Sequence, residues 1–190
     1  MQDAPYIHFV AVVAIFAVGF FTAKPFVDGR YGKALMRWTK FLFGTARRSP
    51  SAMTAVIFLN NLWVYSMLLS LAVVPGGAMW LLPVIGANMY VLTAKSEELT
   101  EYIRIETTQT LPGAIWFLAM AGFLMLEVGT LIAGAAHSLE QSLADGSPTD
   151  RLLASWHLYG WAGAATLLAA AVLETIAIWM PPEPVDDEFV

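Results

Sequence analysis

The stretch LPGAIWFLAMAGFLMLEVGTLIAGA, residues 111–135, decides what kind of protein this is. It carries one charged side chain, Glu127. It is also longer than the roughly 20 apolar residues that a helix rising 1.5 Å per residue needs to cross a hydrocarbon core about 30 Å thick. Runs of the same kind occupy 6–23, 52–74, 78–93 and 152–180, with Pro75-Gly76-Gly77 as a tight turn between two of them. The composition agrees: 58% of the chain is hydrophobic and 13% charged, against about 45–50% and about 25% in a soluble domain. These runs predict an all-α fold, a polytopic membrane helical bundle of about five transmembrane helices. One domain is expected over 1–180, followed by an acidic, flexible C-terminal tail over 181–190. The run at 78–93 is short, which predicts little tilt or a partly re-entrant path.

The first run is read as a retained helix, because Met1-Gln2-Asp3 supplies no basic n-region and no small-residue cleavage site follows. Cysteine is absent, so disulfides, thiolate metal sites and thiol catalysis are excluded together. Of the ten basic residues, seven lie in one connection: Lys24, Arg30, Lys33, Arg37, Lys40, Arg47 and Arg48, opposed there only by Asp28. The positive-inside rule makes that connection cytoplasmic. With five spans the N-terminus is then outside and the C-terminus cytoplasmic.

Two short interfacial helices are expected on the cytoplasmic side. In the first, Tyr31, Leu35, Trp38 and Leu42 recur at helical spacing while Lys33, Arg37 and Lys40 fall on another face, as contact with anionic lipid requires. Lys33, Arg37, Trp38, Lys40, Arg47 and Arg48 are therefore candidate membrane-surface residues, with a docking face for a soluble partner as the alternative. The second covers 95–106, with Leu99, Tyr102 and Ile103 on one side. In the outer connection His137, Glu140, Asp145 and Asp150 match no metal motif, and solvation accounts for them. Trp80, Trp116, Trp156 and Trp179 fall near expected span ends, where indole prefers the interface.

Charges inside spans are costly and usually face a partner within the bundle. Glu127 and Glu174 meet that description. Glu127 lies eight residues before Ala135, roughly 12 Å from that end, and His157 enters from the same side. Glu174 lies six residues before Met180, at the depth of Asn60, Asn61 and Asn88 counted from the opposite face. Two polar layers are thus expected: Glu127 with His157, and Glu174 with Asn60, Asn61 and Asn88. Interhelical hydrogen bonding by neutral carboxyls is favoured over a proton or ion relay. Gly129 with Ala133, and Gly160 with Ala164, have the small-xxx-small spacing that lets helices approach closely.

The chain contains no glycine-rich phosphate loop, no His-Glu-x-x-His helix and no Gly-x-Ser-x-Gly elbow. His8, His137 and His157 are too few and scattered for a haem pair, and neither a cofactor, a metal nor nucleic acid is indicated. An intramembrane hydrolase would need Ser66, Ser70 or Ser155 beside His157.

Phe58-Leu59-Asn60-Asn61-Leu62-Trp63-Val64, then Val84-Ile85-Gly86-Ala87-Asn88, then Leu126-Glu127-Val128-Gly129-Thr130-Leu131-Ile132-Ala133-Gly134-Ala135-Ala136, then Ala169-Ala170-Ala171-Val172-Leu173-Glu174 ending at Pro181, resemble in order and spacing the stage II sporulation protein M family. The resemblance covers roughly the last three quarters of the chain and marks it as a divergent member. It implies an integral membrane protein of several helices, whose namesakes act with peptidoglycan-degrading partners in engulfment. Two departures stand out. The His-Gly that commonly precedes the family's fourth-span Glu is missing from Met120-Ala121-Gly122-Phe123-Leu124-Met125-Leu126-Glu127, and the family's Asn-Gly pair reads Asn88-Met89.

The expected function is a non-enzymatic integral membrane scaffold or accessory subunit in the prokaryotic cytoplasmic (inner) membrane. Its partners would be the lipid bilayer and other membrane proteins or further copies of itself. The competing expectation is a small transporter or channel-like component that uses Glu127 and Glu174.

Overall fold

The computed structural model describes residues 6–47, 49–103, 109–157 and 159–183. They form eight α-helices: α1 Tyr6–Thr22, α2 Arg30–Ala46, α3 Pro50–Ser70, α4 Ala78–Ala94, α5 Ser96–Ile103, α6 Gly113–Leu143, α7 Pro148–His157 and α8 Tyr159–Trp179. No strand occurs among the described residues.

Local chemistry sets several of these boundaries. The Ser49 hydroxyl accepts the Ala52 amide at 3.2 Å and Pro50 follows as the first helical residue, a standard helix start. α3 tightens into a 3-10 turn over Leu71–Val73 and reverses at Gly76, whose φ of +68 suits a residue without a side chain. The Gly76 amide donates to the Ser142 hydroxyl at 3.1 Å, which pins this turn to the end of α6. At the start of α7, Ser147 and Asp150 form a reciprocal capping box: both the amide and the hydroxyl of Ser147 donate to Asp150 Oδ2, and the Asp150 amide donates back to Ser147 Oγ. Asp150, one of the carboxylates of the outer connection, is thereby given a structural role.

Three helical stretches are long and apolar enough to cross a membrane: Pro50–Val73, Gly113–Leu143 and Tyr159–Trp179. Of the five spans expected, these three are long enough by length and composition. α1 and α4, at 17 residues each, extend about 25 Å, short of a hydrocarbon core of about 30 Å. The stretch expected as one span over 152–180 carries both α7 and α8. α8 is its apolar part, whereas α7 exposes Asp150 and His157. α6 runs on past Ala135 to Leu143, and its last turns pack against α7 and the 3-10 turn after α3.

The five apolar helices alternate in direction. α3 and α8 are antiparallel, with Thr54 Oγ1 donating to Thr175 Oγ1 at 2.9 Å near one end and the Tyr65 hydroxyl donating to the Tyr159 carbonyl at 2.7 Å near the other. α6 and α8 are antiparallel too: Trp116 Nε1 donates to the Ala177 carbonyl at 2.9 Å, and Gly122 faces Leu173. One end of the bundle therefore carries α2 and α5, and the opposite end carries the Gly76 turn and α7. Past α8, the Leu111 amide donates to the Pro181 carbonyl and the Glu183 amide to the Leu111 carbonyl, both at 3.0 Å, so the chain stays docked through Glu183. Residues 184–190, most of the expected tail, lie outside the described residues.

Glycines determine where the helices touch. A side chain at Gly134 of α6 or Gly163 of α8 would overlap the Tyr65 ring, so Tyr65 fills a notch that these two glycines leave. α1 and α4 are in backbone contact at Gly19, which abuts Pro83, and at Gly86, which abuts the Phe16 carbonyl. Of the small residues expected to mediate packing, Gly129 receives no neighbour and Gly160 receives one from α7. A side chain at Gly129 would meet open space, and one at Gly160 would meet Trp156. Spacing alone names several candidate faces on a glycine- and alanine-rich helix, and only the partner's shape selects one.

The main core cluster joins Val12, Tyr65, Leu68, Leu82, Leu131 and Leu167 among others. A second, made of Ala46, Met53, Ile57, Ile103 and Ala171, fastens α2 and α5 onto the bundle. Large apolar side chains also point outward, including Met125 at 77% and Trp161 at 83% exposure. A soluble monomer rarely displays so much contiguous apolar surface, and a lipid environment accounts for it.

The Tyr65 notch yields a contrast. Gly134→Ala or Gly163→Ala should destabilise the purified protein by about 1–3 kcal/mol through overpacking, whereas Gly129→Ala should be neutral or slightly stabilising. Tyr65→Phe, which removes one hydrogen bond, should cost about 1 kcal/mol. Thermal unfolding in detergent followed by circular dichroism checks the order, and equal effects at Gly129 and Gly134 would contradict the packing described.

Candidate functional site

Two constellations gather polar side chains, one inside the bundle and one at its basic end. Inside, Asn61 is buried on α3, and its side-chain oxygen accepts from Asn60 Nδ2 at 3.3 Å. The Glu127 carboxyl of α6 lies near enough to the Asn61 side chain to interact with it. Glu174 of α8 is near enough to Glu127 for their charges to interact. The facing pairs Trp116–Ala177 and Gly122–Leu173 set the register, placing Glu174 roughly 10 Å from Glu127 along the bundle axis. Both carboxyls are half-buried. The three longest apolar helices thus contribute one staggered polar chain, Asn60–Asn61–Glu127–Glu174.

The two separate layers expected from sequence do not form. His157 lies exposed on α7, away from Glu127. Asn88 accepts a hydrogen bond from the Tyr31 hydroxyl, tying α4 to α2 instead of joining Glu174. The physical reason is one of helix ends. The apolar runs end at Ala135 and begin at Leu152, but α6 continues to Leu143 and α8 begins at Tyr159. Glu127 therefore sits near the middle of α6, level with Asn61 near the middle of α3.

At the basic end, α2 and α5 are the two amphipathic surface helices expected from the sequence, and they clasp each other. Lys40 Nζ pairs with Glu98 Oε1 at 2.7 Å, and Lys95 Nζ pairs with Asp28 Oδ1 at 2.8 Å. The Tyr102 ring lies beneath two cations, 5.3 Å from Lys40 Nζ and 5.9 Å from the Arg47 guanidinium carbon. Its hydroxyl end reaches Gly44, where any side chain would crowd it. Ion pairing holds the Asp28 carboxyl below its ordinary range, through Lys95, and the Glu98 carboxyl likewise, through Lys40; Lys95 is raised by Asp28 in return.

α2 has two apolar faces. Gly32, Met36, Thr39 and Ala46 are buried against the bundle, whereas Trp38 and Phe41 of the outward face stay exposed. The stripe Tyr31–Leu35–Trp38–Leu42 noted in the sequence is thus not the docking face. Lys33, Arg37 and Trp38 are exposed, Lys40 is committed to Glu98 and Arg47 lies over Tyr102; Arg48 falls outside the described residues. Sequence reasoning missed Asp28, Lys95, Glu98 and Tyr102 as partners. The opposite charges of Lys95 and Glu98 are a signal, but pairings 58 and 67 residues apart are not readable from local pattern.

In the outer connection His137 stacks on Tyr159, with ring centroids 4.0 Å apart, and lies 3.9 Å from Glu140. No group of three or more ligating side chains able to hold a metal occurs among the described residues. Compared with known proteins, the chain matches no family model, no curated protein and no solved structure.

The α2–α5 clasp has a definite pH dependence. Carboxylates held below their ordinary range contribute stability that is present at neutral pH and lost as pH falls through their lowered values. Amide hydrogen exchange over α5 should therefore be flat from pH 7 to about 5 and accelerate, after correction for intrinsic rates, below about 4. The effect should be small and weakened by salt, since both pairs are open to solvent. Glu98→Gln should bring the faster exchange to pH 7.

Proposed function

We propose that this chain is a non-enzymatic integral membrane scaffold or accessory subunit of a prokaryotic cytoplasmic (inner) membrane. It assembles with other membrane or envelope proteins, or with further copies of itself. The observation that carries this reading is the α2–α5 platform: two amphipathic helices clasped by two ion pairs and a shared tyrosine, fastened to the bundle by a buried cluster, with exposed aromatic side chains on the outward face. Such a surface is built for contact and not for turnover. The hydrolase alternative gains no support, because the Ser155 hydroxyl is buried without a partner while His157 is exposed. By the resemblance to the stage II sporulation protein M family, the assembly served is cell-envelope remodelling.

In this reading all five apolar helices cross, α1 and α4 as a backbone-packed pair. Lys24 and Lys95 follow the two helices directly and reach headgroups beyond a thinned or locally adapted bilayer. The basic platform then faces the cytoplasm, with the N-terminus outside and the C-terminus cytoplasmic.

One observation favours a second reading. The chain Asn60–Asn61–Glu127–Glu174 spans three helices and resembles the start of an ion or proton path. A transporter or channel-like component would use these carboxyls in turnover.

Two measurements separate these readings. Glu127→Gln and Glu174→Gln should leave purification yield and associated proteins unchanged, and proteoliposomes of the unaltered protein should show no proton or cation flux under an imposed potential. A flux abolished by either substitution would overturn the scaffold reading in favour of transport. Single cysteines introduced beside Lys40 into this cysteine-free chain should be labelled only from the cytoplasmic side, and labelling from outside would reverse the orientation.

A further inference from the structure

A groove of about 420 Å³ runs between α2, α5 and the turn after α1. Its walls include four cations, Lys33, Arg37, Lys40 and Lys95, against two carboxylates, Asp28 and Glu98. The two ion pairs account for Lys40 with Glu98 and Lys95 with Asp28. Among the described residues Lys33 and Arg37 form no ion pair with a carboxylate, although Lys33 lies near enough to Asp28 to help hold that carboxyl low; the Arg37 Nε bonds the Lys33 carbonyl at 3.4 Å. They stand four residues apart on one face of α2, an arrangement that repels when nothing neutralises it. A bound anion removes that repulsion. The ion pairs on either side fix α5 and the α1–α2 turn around this position, so the groove exists before any ligand arrives.

The rest of the wall narrows the class of anion. Met36 and Val27 add apolar surface beside the cations, and the exposed rings of Phe26, Trp38 and Phe41 flank α2 at the bundle end, where aromatic side chains sit at headgroup level. A group with a compact negative charge and an apolar attachment fits both parts. We propose that this groove is a binding site for a phosphate ester, held by Lys33 and Arg37, with the phosphodiester of an anionic phospholipid headgroup as the ligand that also uses the apolar wall. The inference rests on the membrane placement of the bundle and is independent of the scaffold role.

The full-length protein in detergent, examined by native mass spectrometry with added phosphatidylglycerol or phosphatidylcholine, provides the test. Phosphatidylglycerol should be retained about tenfold more tightly, and Lys33→Gln with Arg37→Gln should weaken it by about 20–30-fold, roughly fivefold for each cation near the surface. Lys33→Arg should preserve binding, showing that charge and not folding is read. Competition by millimolar inorganic phosphate or pyrophosphate, with no preference between the two lipids, would uphold the phosphate site and assign it to a soluble ester. Equal retention of both lipids without phosphate binding, or a preference that survives the double substitution, would overturn the proposal. A failure to find any protein partner would count against the scaffold reading and leave this measurement untouched.

Discussion

Tyr65 is the contact on which the bundle depends. Its ring lies in a notch that exists only because Gly134 and Gly163 have no side chains, and its hydroxyl closes on the Tyr159 carbonyl. Between lipid-solvated helices there is little hydrophobic drive to associate, so shape and hydrogen bonding must hold them. One tyrosine supplies both, and it does so where α3, α6 and α8 meet. The register fixed there carries down the helices to the Thr54–Thr175 bond and to the polar chain through Asn61, Glu127 and Glu174. The functional geometry of the interior is thus a consequence of one packing event.

The same logic, with different chemistry, builds the basic end. There water is present and charges can be used, so α2 and α5 are joined by ion pairs and cation–π contacts across an exposed surface. Each such pair contributes little alone. Their value lies in orientation, supported by the apolar cluster of Ala46, Met53, Ile57, Ile103 and Ala171 beneath them. Of the groove's four cations two pair with Glu98 and Asp28, which leaves Lys33 and Arg37 as the contacts of the proposed anion site.

Much of this was legible beforehand, residue by residue. The apolar runs located every long helix, Pro75-Gly76-Gly77 and Asp145-Gly146-Ser147-Pro148 marked both reversals, and the period of Tyr31, Trp38 and the lysines identified α2 as a surface helix. Glu127, Glu174 and Asn61 stand out in the sequence as polar groups within apolar segments, and the structure sets Asn61 beside Glu127 with Glu174 staggered along the bundle. Their grouping was misread, since depth counted from apolar run ends ignores that α6 continues into polar sequence and that α7 precedes the true span. The glycine contacts were misassigned for a related reason, because small residues are frequent along α6 and α8 and spacing does not choose among them.

By itself the sequence determined what depends on one helix and its solvent: an all-helical chain with long apolar segments, a concentration of positive charge in one connection, and a few polar groups too costly to face lipid. Only the tertiary structure decided which of those groups meet, which glycines receive a neighbour and which cations pair with Asp28 and Glu98. The first set follows from local transfer free energies and helical periodicity, which act over a few turns. The second depends on register between helices that are 50 to 100 residues apart in the chain, and that register is set by shape at contacts such as Tyr65 with Gly134 and Gly163.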